Sequence, residues 1–134
     1  FFKISKFSLS GSTDIYTNAV DAISLGSGVC QDFAHILIGL SRYHNYPARY
    51  VNGFSAHVSN GVSETHAWVE IYIEDLGWVA FDPSKKCCID DKYVRVGCGF
   101  DFHDASMIKG IKCNFDGQEN LDKDIKIQIQ QSHQ

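Results

Sequence analysis

Proline, methionine and basic charge are all scarce in this chain of 134 residues, which has two Pro, one Met, and 12 Lys and Arg against 16 Asp and Glu. The formal net charge of -4 disfavours a nucleic-acid backbone or an anionic membrane as the main partner, because both require a basic surface. Apolar stretches fall well short of the roughly 20 residues that span a bilayer, so no transmembrane helix is expected. A disulfide framework is missing as well. The five cysteines are odd in number and include the adjacent pair Cys87-Cys88, whereas a small secreted scaffold pairs its cysteines. That usage favours a reducing, cytoplasmic setting. Neither an initiator Met nor a signal-peptide pattern opens the chain at Phe1-Phe2-Lys3. The expectation is therefore the C-terminal or processed part of something longer, with an N-terminal domain absent from this chain.

What is present suits one folded domain over residues 1–134. At 44% hydrophobic and 21% charged, the composition is close to that of an average globular protein, and the length suits a single core. No repeat, low-complexity block or linker interrupts it. From Thr13 to about Leu25, Ile15, Tyr16, Ala19, Val20 and Ile23 recur at helical spacing, with Ser12 or Thr13 as N-cap. Gly26-Ser27-Gly28 breaks that helix. A second one follows from Cys30 to Tyr43, with Phe33, Ile36, Leu37, Leu40 and His44 expected on one face. Asn45 suits a left-handed C-terminal turn and Pro47 prevents continuation.

Strands come next. Arg49–Phe54, His66–Ile73 and Trp78–Asp82 are predicted, the last two joined around Glu74-Asp75-Leu76-Gly77, and Asp124–Gln130 alternates Ile with polar residues. The first ten residues read only weakly as extended. Helices followed by antiparallel strands make an α+β fold, a helix packed against an antiparallel sheet.

Three residues carry the chemistry. Cys30 stands directly after the glycine break, at the first turn of the best-patterned helix, where unpaired N–H groups and the helix dipole favour a thiolate over a thiol. The Cys30 backbone N–H is also placed to serve a developing oxyanion. His66 opens a strand whose apolar face is Ala67, Val69, Ile71 and Ile73, which puts His66, Trp68, Glu70 and Tyr72 on the other face. Asp82 lies an even number of residues after His66. A hairpin with an odd-length loop then sets the two directly opposite on one face, with Asp82 able to fix the imidazole tautomer.

Other residues suggest humbler roles. Asp32 suits the helix dipole, and Gln31 is a candidate side-chain donor to an oxyanion. Trp68 and Trp78 are expected to wall a cleft or pack across the sheet. Cys87, Cys88, Cys98 and Cys113 with His103 lack zinc-ligand spacing, so no metal is expected, and no cofactor either. His35 points away from Cys30 around the helix and is a poor substitute for His66. His44, His57 and His133 read as surface or turn residues.

Four segments are recognisable together: Gly28-Val29-Cys30-Gln31-Asp32-Phe33-Ala34-His35, Pro47-Ala48-Arg49-Tyr50-Val51-Asn52-Gly53, Thr65-His66-Ala67-Trp68-Val69-Glu70 and Gly77-Trp78-Val79-Ala80-Phe81-Asp82-Pro83. In this order they resemble the bacterial transglutaminase-like family, from about Ser12 to Asp104 and more weakly through Gly110. The resemblance implies a papain-like core in which the family's nucleophilic cysteine maps onto Cys30, its histidine onto His66 and its aspartate onto Asp82. Relatives often carry Pro where Met107 stands. Some place a polar oxyanion-hole side chain well upstream of the cysteine, and this chain has little before Ser12.

The implied reaction is acyl transfer through a thioester on a peptide, protein or amide substrate. Hydrolysis by a cysteine peptidase or amidase is favoured over transamidation, because no segment reads as a calcium loop or a dedicated amine site. The rival classes are a non-catalytic peptide-binding module on the same fold and an acyltransferase drawing on an acyl-thioester donor.

Overall fold

A computed structural model describes residues 19–56 and 64–107. Two helices, α1 (Ala19–Leu25) and α2 (Cys30–Tyr43), precede five strands: β1 (Ala48–Ser55), β2 (Glu64–Ile73), β3 (Gly77–Asp82), β4 (Cys87–Cys88) and β5 (Tyr93–Gly99). The α+β expectation holds, and α2 has the predicted limits. Its end has the predicted cause, since Asn45 takes a left-handed φ of 64° two residues before Pro47. The proposed helix start at Ser12 or Thr13 and the strand at Asp124–Gln130 lie outside the described residues, as do the first ten residues, His57, Cys113 and His133.

All strand pairs in the sheet, of order β4-β3-β2-β1-β5, are antiparallel. Sequence reasoning missed β4 and β5, although Tyr93-Val94-Arg95-Val96 is rich in strand-forming side chains. Only residues 89–92 link β4 at one edge to β5 at the other. A flat sheet would separate those edges by about 19 Å, at or beyond the reach of a link this short even when fully extended. The sheet therefore curls, bringing β5 back toward β3. Cross-connections record the curl: Lys85 Nζ, just after β3, donates to Ser55 Oγ of β1 at 2.8 Å, across the intervening β2.

The main core lies between α2 and one face of the sheet. Ala34 and Ile38 of α2 pack with Ala48 and Tyr50 of β1, Ala67 and Val69 of β2, and Ala105, joined by half-buried Leu37, Ile71, Phe102 and Cys30. The helix faces the sheet with an edge only partly the expected one: Phe33 is buried and Leu37 packs on the core, but the end of the face turns outward. Leu40 is 53% exposed and His44 is exposed, whereas Ala34, Ile38 and Ser41 are buried. Small side chains at Ala34, Ala48 and Ala67 let helix and sheet approach closely, and this packing overrides the count of large apolar residues.

The opposite face of β2 is not a solvated polar surface. Trp68 is buried against Gly53, where an added Cβ would meet the Trp68 ring at 2.6 Å as well as the Val94 carbonyl. Glu70 is buried too and accepts from Arg49 Nε at 2.6 Å, while Arg49 lies 4.0 Å over the Trp78 ring. The curl of the sheet encloses this second face.

Candidate active site

Cys30 is the first residue of α2 and Val29 its cap. Valine has no side-chain acceptor, so the helix start is secured from inside: Asp32 turns back and accepts the Val29 N–H at 2.8 Å. Asp32 is buried and has a structural role, in keeping with its position beside the positive end of the dipole. The same turn dictates Gly28, since a Cβ there would approach the Asp32 carboxylate at 2.9 Å. Packing of this turn thus fixes the direction in which Cys30 projects.

His66 is carried by β2 and paired to Gly53 of β1, but on its other side it stands beyond the last β2–β3 pair, Val69–Phe81. The two strands part there, and His66 and Asp82 flank the gap. This gap is what lets a thiol carried on the helix side reach an imidazole carried on the enclosed face. His66 Nε2 lies 2.6 Å from Asp82 Oδ2, and Cys30 is near enough to His66 to favour its protonated form. With Nε2 committed to Asp82, Nδ1 is the ring nitrogen left for Cys30.

The parity argument for Asp82 is right about the face and wrong about the level. The β2–β3 loop is the three residues Glu74, Asp75 and Leu76, closed by the Ile73–Gly77 pair, and this register sets Asp82 across from Trp68. His66 is therefore its diagonal neighbour, not its direct partner. Diagonal neighbours on one face remain within reach of long side chains.

Asp82 is almost completely buried, with 1% of its surface exposed, and its carboxylate is saturated with donors. Oδ1 accepts from the Ser84 hydroxyl, the Ser84 N–H at 2.9 Å and the Lys85 N–H at 3.1 Å. Oδ2 accepts from His66 and from the Tyr93 hydroxyl at 2.8 Å. Burial alone would push the Asp82 carboxyl up. Hydrogen bonds from His66 and Ser84, the His66 charge and the Tyr93 hydroxyl overcome it and hold the group well below the usual carboxylate range. For His66, burial lowers the affinity for a proton. The hydrogen bonds to Asp82 and Cys30 and the charges of both outweigh it and raise the pKa to about 9. At neutral pH the raised pKa favours the imidazolium form of His66, which stands between Asp82 and Cys30.

Several predicted residues fall elsewhere. Gln31 is half-buried on the first turn of α2, next to Cys30. Trp68 stacks beside His66 with ring centroids 6.4 Å apart and is buried against Gly53 and Tyr93, packing across the sheet. Trp78 sits at the far end of the hairpin against Tyr72 and Arg49. His35 packs on Tyr50 and accepts the Phe102 N–H through Nε2 at 3.3 Å, tying the 100–105 segment to α2. Ser84 and Tyr93 were not foreseen. The Ser84 contact had a local signal, because an Asp followed two residues later by Ser is a common side-chain-capped turn. Tyr93 had none, since it depends on the curl of the sheet.

Comparison with known proteins shows which family the chain resembles. The sequence model of the Transglutaminase-like superfamily matches residues 2–83. An uncharacterized protein of Mycobacterium leprae is 34% identical over 125 residues, which cover 89% of this chain and 43% of that protein. An uncharacterized protein of Mycobacterium tuberculosis is 30% identical over 131 residues, covering 90% of this chain and 41% of its own length. The chain thus spans less than half the length of these relatives. Among solved structures, a candidate cysteine protease from Cytophaga hutchinsonii superposes with a TM-score of 0.67 at 34% identity, covering 79% of this chain and 35% of that one. The family match takes in the segments that carry Cys30, His66 and Asp82 and covers more than half of the sequence; this chain belongs to the transglutaminase-like superfamily.

Proposed function

We propose that the domain is a cysteine-dependent amidase or peptidase in which Cys30 is the nucleophile, His66 the proton carrier and Asp82 the group that orients and charges His66. The observation that carries the reading is the hydrogen bond from His66 to buried Asp82, with Cys30, the first residue of α2, close enough to His66 to favour its charged form. A thiol at a helix N-terminus facing an imidazolium has both of the usual sources of thiolate stabilisation. The likeness to the Cytophaga hutchinsonii candidate cysteine protease supports the same class.

In the first half-reaction the Cys30 thiolate attacks the amide carbonyl carbon and an oxyanion forms, with the Cys30 backbone N–H and the Gln31 side chain as its proposed donors. The C–N bond then breaks, His66 gives its proton to the leaving amine, and an acyl-thioester remains on Cys30. In the second half-reaction His66 takes a proton from water, hydroxide adds to the thioester, and the C–S bond breaks to release the acid and restore the ion pair. An amine acceptor in place of water would give transamidation with the same residues.

The test needs no substrate. Iodoacetamide at about pH 5 to 6, followed by peptide mass spectrometry, is expected to label Cys30 ahead of the other cysteines in the parent but not in His66→Ala. Equal labelling of Cys30 in both proteins would remove His66 from the role assigned to it.

A further inference from the structure

Tyr93 belongs to a strand that contributes no other group to the Cys30–His66–Asp82 line, yet its hydroxyl donates to Asp82 Oδ2 at 2.8 Å, the oxygen that also receives His66. Its ring is fixed on several sides. It meets Trp68 edge-on at 5.5 Å between centroids, lies 5.9 Å from the His66 ring, and carries Lys85 Nζ 5.1 Å above it. The hydroxyl remains protonated throughout the working range: burial, followed by the neighbouring Asp82, pushes its pKa far above that of a free tyrosine. A buried carboxylate offers about four lone-pair directions, and here three donors occupy Oδ1 and two occupy Oδ2.

We propose that Tyr93 is a positioning residue of this site: by sharing Asp82 Oδ2 with His66, its hydroxyl fixes the carboxylate and limits how strongly Asp82 holds the imidazolium proton. This rests on the functional reading above. The sign follows from charge sharing. A carboxylate oxygen that donates part of its electron density to Tyr93 has less to offer His66. Without the hydroxyl, Oδ2 binds the imidazolium more tightly, His66 becomes a weaker acid, and proton delivery to a leaving amine slows. Besides facing each other, His66 meets the ionisable groups of Cys30 and Asp82, and Tyr93 those of Asp82, Cys87 and Lys85, among the described residues. Tyr93→Phe leaves all four in place and keeps the ring.

The experiment is an NMR titration of the His66 imidazole in the parent and in Tyr93→Phe, with thermal unfolding measured on both. The expected result is a His66 midpoint raised by about half a unit or more in Tyr93→Phe. The basic limb of Cys30 alkylation by iodoacetamide should move up with it, and turnover should fall about five- to tenfold once a substrate is in hand. Site-specific 3-fluorotyrosine at position 93 donates a stronger hydrogen bond without loss of packing, and should move the His66 midpoint down. An unchanged midpoint in either protein overturns the proposal, and a purely structural Tyr93 predicts that result. The titration reads His66 in the resting protein, so a Cys30 that proves unreactive refutes the catalytic reading without deciding the role of Tyr93. An unmoved His66 midpoint beside a reactive Cys30 refutes the role of Tyr93 alone.

Discussion

The two faces of β2 do different work with alternate residues of one strand. Toward α2 stand Ala67 and Val69, small or branched, apolar and buried in a core that includes Ala34 and Ile38. On the enclosed face stand His66, Trp68 and Glu70, equally or nearly as shielded but each tied to a named polar or aromatic partner. The first face stabilises by area removed from water and tolerates any side chain of suitable shape. The second stabilises only while its hydrogen bonds are complete, because a buried polar group that loses its partner costs more than the bond contributed. The proposed His66–Asp82 pair lies on the second face, whereas Cys30 approaches it from the core beside the first.

The sharpest way to separate the faces is to remove chemistry without disturbing either packing. Cys30→Ala is expected to leave a folded protein with no turnover, because alanine suits the first turn of α2 and cannot attack a carbonyl. Hydrolysis by that variant of any amide the parent cleaves would refute the mechanism.

Next in size is Asp82→Asn, which strikes the enclosed face alone. An amide keeps the shape but must turn its NH₂ toward donors at one of the two oxygen positions, and it withdraws the charge that helps raise the pKa of His66 to about 9. A fall in kcat/KM of about 10²–10⁴ is expected. A change below tenfold would return Asp82 to the status of an ordinary strand exit before Pro83.

Val69→Ala attacks the other face. Val69 is fully buried, and truncation should lower stability by about 2 kcal/mol through lost transfer energy and a residual cavity. The rate at a temperature well below unfolding should stay within about threefold of the parent. Chemical denaturation alongside the activity assay checks both halves, and a large rate loss at full folding would show that the faces are coupled.

The smallest effect concerns pH. The folded-state pKa of His66 is raised from 6.5 to about 9, so its contribution to stability is fully present below about pH 6.5 and is lost as pH rises through about 9. Asp82 works in the opposite sense: its contribution is present above its ordinary value of 3.8 and is lost as pH falls below it. The parent should therefore lose a few degrees of Tm between pH 6.5 and 9, and His66→Ala should show a flatter profile over that window. Matching slopes in the two proteins would mean that other groups carry the dependence.

Local rules were enough for much of this molecule. The limits of α2, the turn at Asn45 and the hairpin at Glu74–Gly77 each follow from residues within a few positions of one another, because helix period, left-handed turns and strand alternation are properties of the chain over short distances. Cys30, His66 and Asp82 were legible for a similar reason: each sits at the end of an element or beside a turn, and their motifs are contiguous. That His66 and Asp82 share a face was also legible, since parity survives any register with an odd loop.

Tertiary structure decided the rest. The diagonal pairing of Asp82 with His66 depends on a loop centred on Asp75, where one centred on Glu74 would have set them directly opposite. The buried edge of α2 is chosen by the small residues it meets on β1 and β2, and no helical wheel contains those. Tyr93 reaches Asp82 only because a short link joins the two edges of the sheet and forces it to curl, which brings together side chains from strands three places apart in the sheet order. Short-range steric preferences fix what each segment becomes. Which segments then share a buried hydrogen bond is settled by how the sheet closes, a property of all the strands at once.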